Sequence, residues 1–160
     1  MRVIGVDPGY DRLGVAVLEL VEGKELLLHS HCIESDRSAN LPERLLFLGQ
    51  AFTRLVNEYQ VDTLAIETLF FNQNQKTVMG VAQIRGILIY LAQVAKCRVY
   101  EFGPQEVKVA LTGYGKSDKK AVIDMVRRLL PSAPTKALDD EYDAIAVAMT
   151  CLAHHGNHHS

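Results

Sequence analysis

Four carboxylates, Asp7, Glu67, Asp140 and Asp143, stand where the chain holds a side chain firmly in place. Asp7 closes the apolar run Val3-Ile4-Gly5-Val6 and is followed at once by Pro8-Gly9, so it sits at the end of a strand locked by a turn. Glu67 closes a second apolar run, Leu64-Ala65-Ile66, in the same way. Asp140 and Asp143 are three apart at the start of a helical stretch and therefore share a face. Each acid has an ordinary use when taken alone. Asp-Pro-Gly is common turn composition, and acids in a first helical turn complement the macrodipole or cap the helix. Together they are oxygen donors suited to a hard cation, because Mg²⁺ takes carboxylates while keeping several waters. Two such ions roughly 3.5–4 Å apart clamp the attacking and leaving oxygens of a phosphoryl transfer. Nearby lysines would then steady the phosphate.

The elements that must carry these acids can be read from hydrophobic period. After the turn at Pro8-Gly9, Arg12 to Leu18 is a second β-rich run, and Leu26 to Ile33 a third, giving an antiparallel meander. Leu41, Leu45, Leu48, Phe52, Leu55 and Tyr59 recur at steps of three and four, one face of a helix that Asn40 and Pro42 start. Residues 62–67 form a fourth strand, and a polar loop with two adjacent aromatics, Phe70 and Phe71, follows. The stretch from Thr77 to Ala95 is helical and apolar almost all round, with Gly80 and Gly86 inside it. Cys97 to Phe102 is a fifth strand and 104–111 a short helix. Ser117 is the expected N-cap of a helix over 118–130, and the last helix runs from Asp139 to about Ala153. Right-handed crossovers place strands four and five parallel to strand one. The expected fold is α/β, a mixed five-stranded sheet with helices on both faces, and Asp7 and Glu67 converge on one rim of it.

Bulk composition narrows the class. At 160 residues, 48% hydrophobic and 22% charged, the chain suits one soluble domain with a substantial core. That domain is expected over 1–153, with 154–160 a disordered His-rich tail, although His154, His155, His158 and His159 could mimic a metal site. No apolar run is long enough to span a bilayer. Cys32, Cys97 and Cys151 lack the paired spacing of zinc or disulfide frameworks, which points to a reducing, cytoplasmic setting. A net charge of −2 gives no overall attraction to nucleic acid, so local basic patches or bound metal must supply it.

The order Val3 to Gly9, then Ala65-Ile66-Glu67 with Phe70-Phe71 and Asn74, then Gln83-Ile84-Arg85-Gly86, then Asp140-Glu141-Tyr142-Asp143-Ala144, closely resembles the RuvC family across nearly the whole chain. The resemblance implies a ribonuclease H-like fold and a Holliday junction resolvase that places paired symmetric nicks in four-way DNA junctions during recombination and repair. It implies that Asp7, Glu67, Asp140 and Asp143 are the catalytic metal ligands, holding two Mg²⁺ ions with Mn²⁺ as a substitute. Lys119 matches the family's active-site lysine. Phe70 matches an aromatic that stacks on bases at the junction centre, which suits an exposed ring beside Asn and Gln. Lys108 matches a basic position used on DNA, and Phe71, Asn74, Lys76, Arg85, Lys116 and Lys120 complete the expected DNA contacts. A helix over 77–95 that is apolar nearly all round is expected to be buried on both sides. That points to a two-fold homodimer with this helix forming much of the interface. The resemblance adds a branch-migration complex of RuvA and RuvB as partner and 5′-phosphate products. Gln73, Ile84 and Cys151 depart from what relatives often carry, and Asp140 keeps the carboxylate where part of the family has histidine.

Three competing readings differ in what they need. An actin-like or sugar-kinase ATPase also opens with Asp-x-Gly, but requires two related halves and a second phosphate loop. A junction binder without cleavage has no use for four converging acids. Another ribonuclease H-like nuclease, acting on RNA or hybrids, would share the quartet.

Overall fold

The computed structural model describes residues 1–69 and 75–156. Five strands, β1 (Arg2–Asp7), β2 (Arg12–Val21), β3 (Lys24–Glu34), β4 (Thr63–Glu67) and β5 (Arg98–Phe102), form one sheet in the order β3-β2-β1-β4-β5. The first three make the antiparallel meander, whereas β4 joins β1 in parallel and β5 joins β4 in parallel. The helices are α1 (Leu41–Glu58), α2 (Gln75–Val94), α3 (Pro104–Thr112), α4 (Lys119–Leu129) and α5 (Asp139–His155). Among the described residues no helix is long and apolar enough to cross a membrane.

Side chains alternate across a strand, and here the alternation divides the core in two. Ile4, Val6, Leu64 and Ile66 face α1 and α2, packing with Leu48, Phe52, Ile84 and Leu88. Val3 and Ala65 face the other way, into a layer built largely from α5 with α3 and α4 beside it. Asp7 continues the Val3, Gly5 phase and Glu67 continues the Thr63, Ala65 phase. Both acids therefore end their strands on the α5 side of the sheet.

α5 is nearly sunk in the protein, its residues Ala144 to Leu152 all buried. Two glycines let it lie that deep. A Cβ on Gly5 would collide with the carbonyl oxygen of Ala144, and one on Gly14 with that of Asp140. The loop before α5 is tied by Tyr142, whose hydroxyl donates to Pro134 O at 2.6 Å while Arg127 donates to the same hydroxyl at 2.8 Å.

Several local expectations shift. The α4 cap is Asp118, which accepts from Ala121 N at 2.8 Å, because Ser117 is engaged by Tyr114 O and Thr112. Asn40 caps α1 as expected, in a full capping box with Glu43. α5 continues through His154 and His155, two residues into the stretch read as a tail, and the His155 ring stacks on Tyr100 at 3.8 Å. Residues 157–160, with His158 and His159, lie outside the described residues. α2 is not buried all round: Ile84, Leu88 and Ala92 face the sheet, while Met79, Tyr90 and Val94 are 65%, 68% and 62% exposed. The three cysteines are free and buried.

Candidate active site

The site forms where β1, β4 and α5 meet, at the carboxyl ends of two parallel strands. The register pairs Asp7 with Gly14, and Gly14 touches the backbone of Asp140. That single contact brings the start of α5 to the end of β1. Asp143 follows one turn further along α5, on the same face.

Burial and mutual repulsion both act on these acids. Asp7 is pushed up to about 8, first by burial and then by the charges of Glu67, Asp143 and Asp140, with Lys119 opposing. Glu67 is pushed up to about 7 by burial and by Asp143, while Lys119 and Lys108 pull it down. Asp143 is raised by burial although Lys119 donates to its Oδ2 at 2.8 Å. Burial lowers the Lys119 ammonium, but Asp143, Asp139 and Asp7 outweigh it and the net direction is upward. The four acids thus sense one another as a single electrostatic unit spanning three distant segments of sequence.

The side chains are not drawn into a closed cage. Among the described residues no three His, Cys, Asp or Glu side chains stand in a metal-holding arrangement. Two protein cations occupy the edges of the group. Lys119 lies 3.7 Å from Asp139 as well as bonding Asp143. Arg12 Nε lies 3.3 Å from Asp140 Oδ2, yet that oxygen is buried without a hydrogen-bond partner. The contact is an ion pair without a hydrogen bond. A buried carboxylate oxygen with no hydrogen-bond partner, beside acids held above their usual range, is a donor set that fits a divalent cation.

The remaining expected residues are placed unevenly. Lys108, on α3, is near enough to lower Glu67. Lys116 and Lys120 are exposed on the loop before α4 and on its first turn. Arg85 turns inward: its Nε donates to Glu67 O at 3.2 Å and its other end is paired with Glu101, leaving the side chain 18% exposed. Its guanidinium is engaged at both edges within the chain. Lys76 begins α2, and Phe70, Phe71 and Asn74 lie outside the described residues. Arg12 and Arg44 were not singled out by sequence. Arg12 follows Asp7 across a tight turn, which is a usable signal. Arg44 gives none, because an arginine within a helix reads as solvated until its 9% exposure and its bonds to Ser35, Tyr10 O and Asp11 are seen.

Comparison with known proteins adds to this geometry. The family model described as crossover junction endodeoxyribonuclease RuvC matches residues 3–151. The RuvC of Thermosipho melanesiensis is 42% identical over 96% of this chain and 97% of its own length. That of Finegoldia magna is 38% identical over 93% of this chain and 91% of its own. Among solved structures, Thermus thermophilus RuvC in complex with a Holliday junction substrate superposes with a TM-score of 0.89 at 28% identity, covering 96% of this chain and 94% of the other.

Proposed function

The chain belongs to the RuvC family of crossover junction endodeoxyribonucleases, and we propose from that membership how its residues resolve a Holliday junction. The activity is that of a resolvase, an endonuclease acting on four-way DNA junctions. The observation that carries the residue assignment is the convergence of Asp7, Glu67, Asp140 and Asp143 at one rim, with Lys119 bonded into the group.

In this reading the four carboxylates hold two divalent cations, Mg²⁺ with Mn²⁺ as a substitute. When bound, the cations neutralise charge at the scissile phosphate and activate the attacking water. The chain's own contribution is positioning. The strand ends fix Asp7 and Glu67, and the buried α5 fixes Asp140 and Asp143 against them. Lys119 balances the excess negative charge and is placed to offset charge that develops on the phosphate during attack. Water attack leaves a 5′-phosphate and a 3′-hydroxyl. Lys108, Lys116, Lys120 and Lys76 supply backbone attraction that the overall charge of −2 does not. Phe70, with Phe71 and Asn74, stacks on or contacts the opened bases.

The protein acts as a two-fold dimer through α1 and α2. An apolar groove of about 840 Å³ runs between these helices, lined by Leu45, Leu46, Gly49, Ile87, Tyr90 and Leu91. Met79, Tyr90 and Val94 continue it along the outer face of α2. A surface this apolar marks an interface, and a near-two-fold junction calls for two sites and paired symmetric nicks. The working unit is one domain over 1–153, handing over from a branch-migration complex of RuvA and RuvB in the cytoplasm, where the three buried thiols stay reduced.

The test is a gel assay with a synthetic four-way junction, a duplex and an RNA–DNA hybrid, each with and without Mg²⁺. Paired, Mg²⁺-dependent nicks in the junction alone are expected. Cleavage of the hybrid in preference to the junction would overturn the assignment.

A further inference from the structure

We propose that Arg85 is a positioning residue for the metal ligand Glu67, tying the end of β4 to α2 and β5, and that it does not bind DNA. The proposal rests on the site assignment above. Glu67 ends the β4 ladder opposite Phe102, and the next residue, Thr68, is the last to bond across it, donating from its N–H to Phe102 O at 2.9 Å. The Glu67 carbonyl is then taken by Arg85 Nε at 3.2 Å, from α2. The same guanidinium pairs with Glu101, the residue of β5 beside Phe102, so one side chain spans a helix and two strands. At 18% exposure it has little freedom to turn outward. A planar fork engaged at two edges holds a peptide in orientation as well as in place. The side chain of Glu67 leaves from that fixed peptide, so the Arg85 bond anchors the base of a carboxylate that senses Asp7 and Asp143. α2 is also the helix that carries the apolar outer face, which joins subunit contact to the geometry of Glu67.

Partners of this kind typically change metal affinity or activity by about 10–100-fold when removed, without touching substrate. A phosphate contact behaves differently: its loss weakens junction binding at all sequences and lowers the salt slope by about one unit. Arg85→Gln, Arg85→Lys and Glu101→Gln are compared with the parent in three measurements. These are Mn²⁺ binding by titration calorimetry, junction affinity without metal across a NaCl series, and single-turnover cleavage across a Mg²⁺ series. The expected result for Arg85→Gln is Mn²⁺ affinity and Mg²⁺ half-saturation worse by about tenfold or more, with junction affinity and its salt slope unchanged. Arg85→Lys restores part of the metal affinity, and Glu101→Gln moves it in the same direction as Arg85→Gln by a smaller factor. Weaker junction binding with a shallower salt slope and unchanged Mn²⁺ affinity would overturn the proposal and return Arg85 to the DNA contacts. Glu101 is exposed, so its variant tests the idea even if Arg85→Gln fails to fold, and unchanged Mn²⁺ affinity there also overturns it. A parent that binds metal but does not cleave the junction contradicts the site assignment instead.

Discussion

Gly14 lies against the backbone of Asp140, so closely that no side chain fits between the second strand and the first turn of α5. Because Gly14 is also the ladder partner of Asp7, one glycine sets the spacing between two candidate metal ligands. Gly14→Ala should force α5 outward, since the obstacle is a carbonyl and not a flexible side chain. Overpacking of this kind costs about 1–3 kcal/mol, and a displaced ligand costs about 100-fold in rate. Thermal melting and a junction cleavage assay should show both losses. Cleavage at the parental rate would mean that α5 can shift without disturbing the site.

Asp7→Asn should abolish cleavage and leave junction binding intact. The amide keeps the shape but removes an anionic ligand, while binding rests on phosphate contacts elsewhere. Gel-shift and cleavage assays on the same junction separate the two. A variant that still nicks at a comparable rate removes Asp7 from the metal site.

Lys119→Ala should depress turnover by about 100-fold, the usual scale for losing one preorganised charge donor. Lys120→Ala should leave it nearly unchanged. The two lysines are adjacent, but only Lys119 bonds Asp143 and reaches Asp139. Equal effects in single-turnover assays would remove Lys119 from the reaction.

Stability without metal should fall as pH rises. Asp7 and Glu67 titrate near 8 and 7 when folded, above their ordinary 3.8 and 4.5. The folded state therefore keeps protons that the unfolded chain has released, and this contribution is complete below about pH 4 and is lost on approach to pH 8. Melts in EDTA should drop between about pH 4 and 8, less so for Asp7→Asn, which removes one of the two groups. Mg²⁺ should offset the loss at the higher pH, because it binds the ionised acids of the folded form. An equal pH slope for parent and variant would contradict the burial of Asp7.

Tyr90→Glu should give a monomer. The ring is 68% exposed on the outer face of α2 and borders the groove against α1, so in the proposed dimer a charge there would face the same apolar surface of the second copy. Sedimentation should show the parent as a dimer and the variant as a monomer whose nicks fall singly. A monomeric parent would refute the dimer.

Much of this could be read in the sequence because the governing signals are local. Strand-end acids after apolar runs place Asp7 and Glu67, and the Asp140–Asp143 spacing fixes a shared helix face. Sheet order follows from crossover handedness. What could not be read depends on close approach between distant segments. The roles of Gly5 and Gly14 exist only because α5 crosses β1 and β2 there. Arg85 and Arg44 look like surface arginines on helices, and only tertiary contact turns them inward. The outer face of α2 is different: Met79, Tyr90 and Val94 are exposed in the single chain, and their expected cover belongs to the proposed dimer.

The depth of α5 has a consequence for how the protein is made. α5 supplies a large part of one core layer and two of the four acids, yet it comes after every strand in chain order. On the ribosome, the meander, β4 and β5 all emerge before the helix that covers one face of them and completes the proposed metal-binding group. A nascent chain that stops before α5 holds only Asp7 and Glu67 of the four, and one face of its sheet is open to solvent. Translation products that stop before α5 therefore lack two of the four acids of the proposed site.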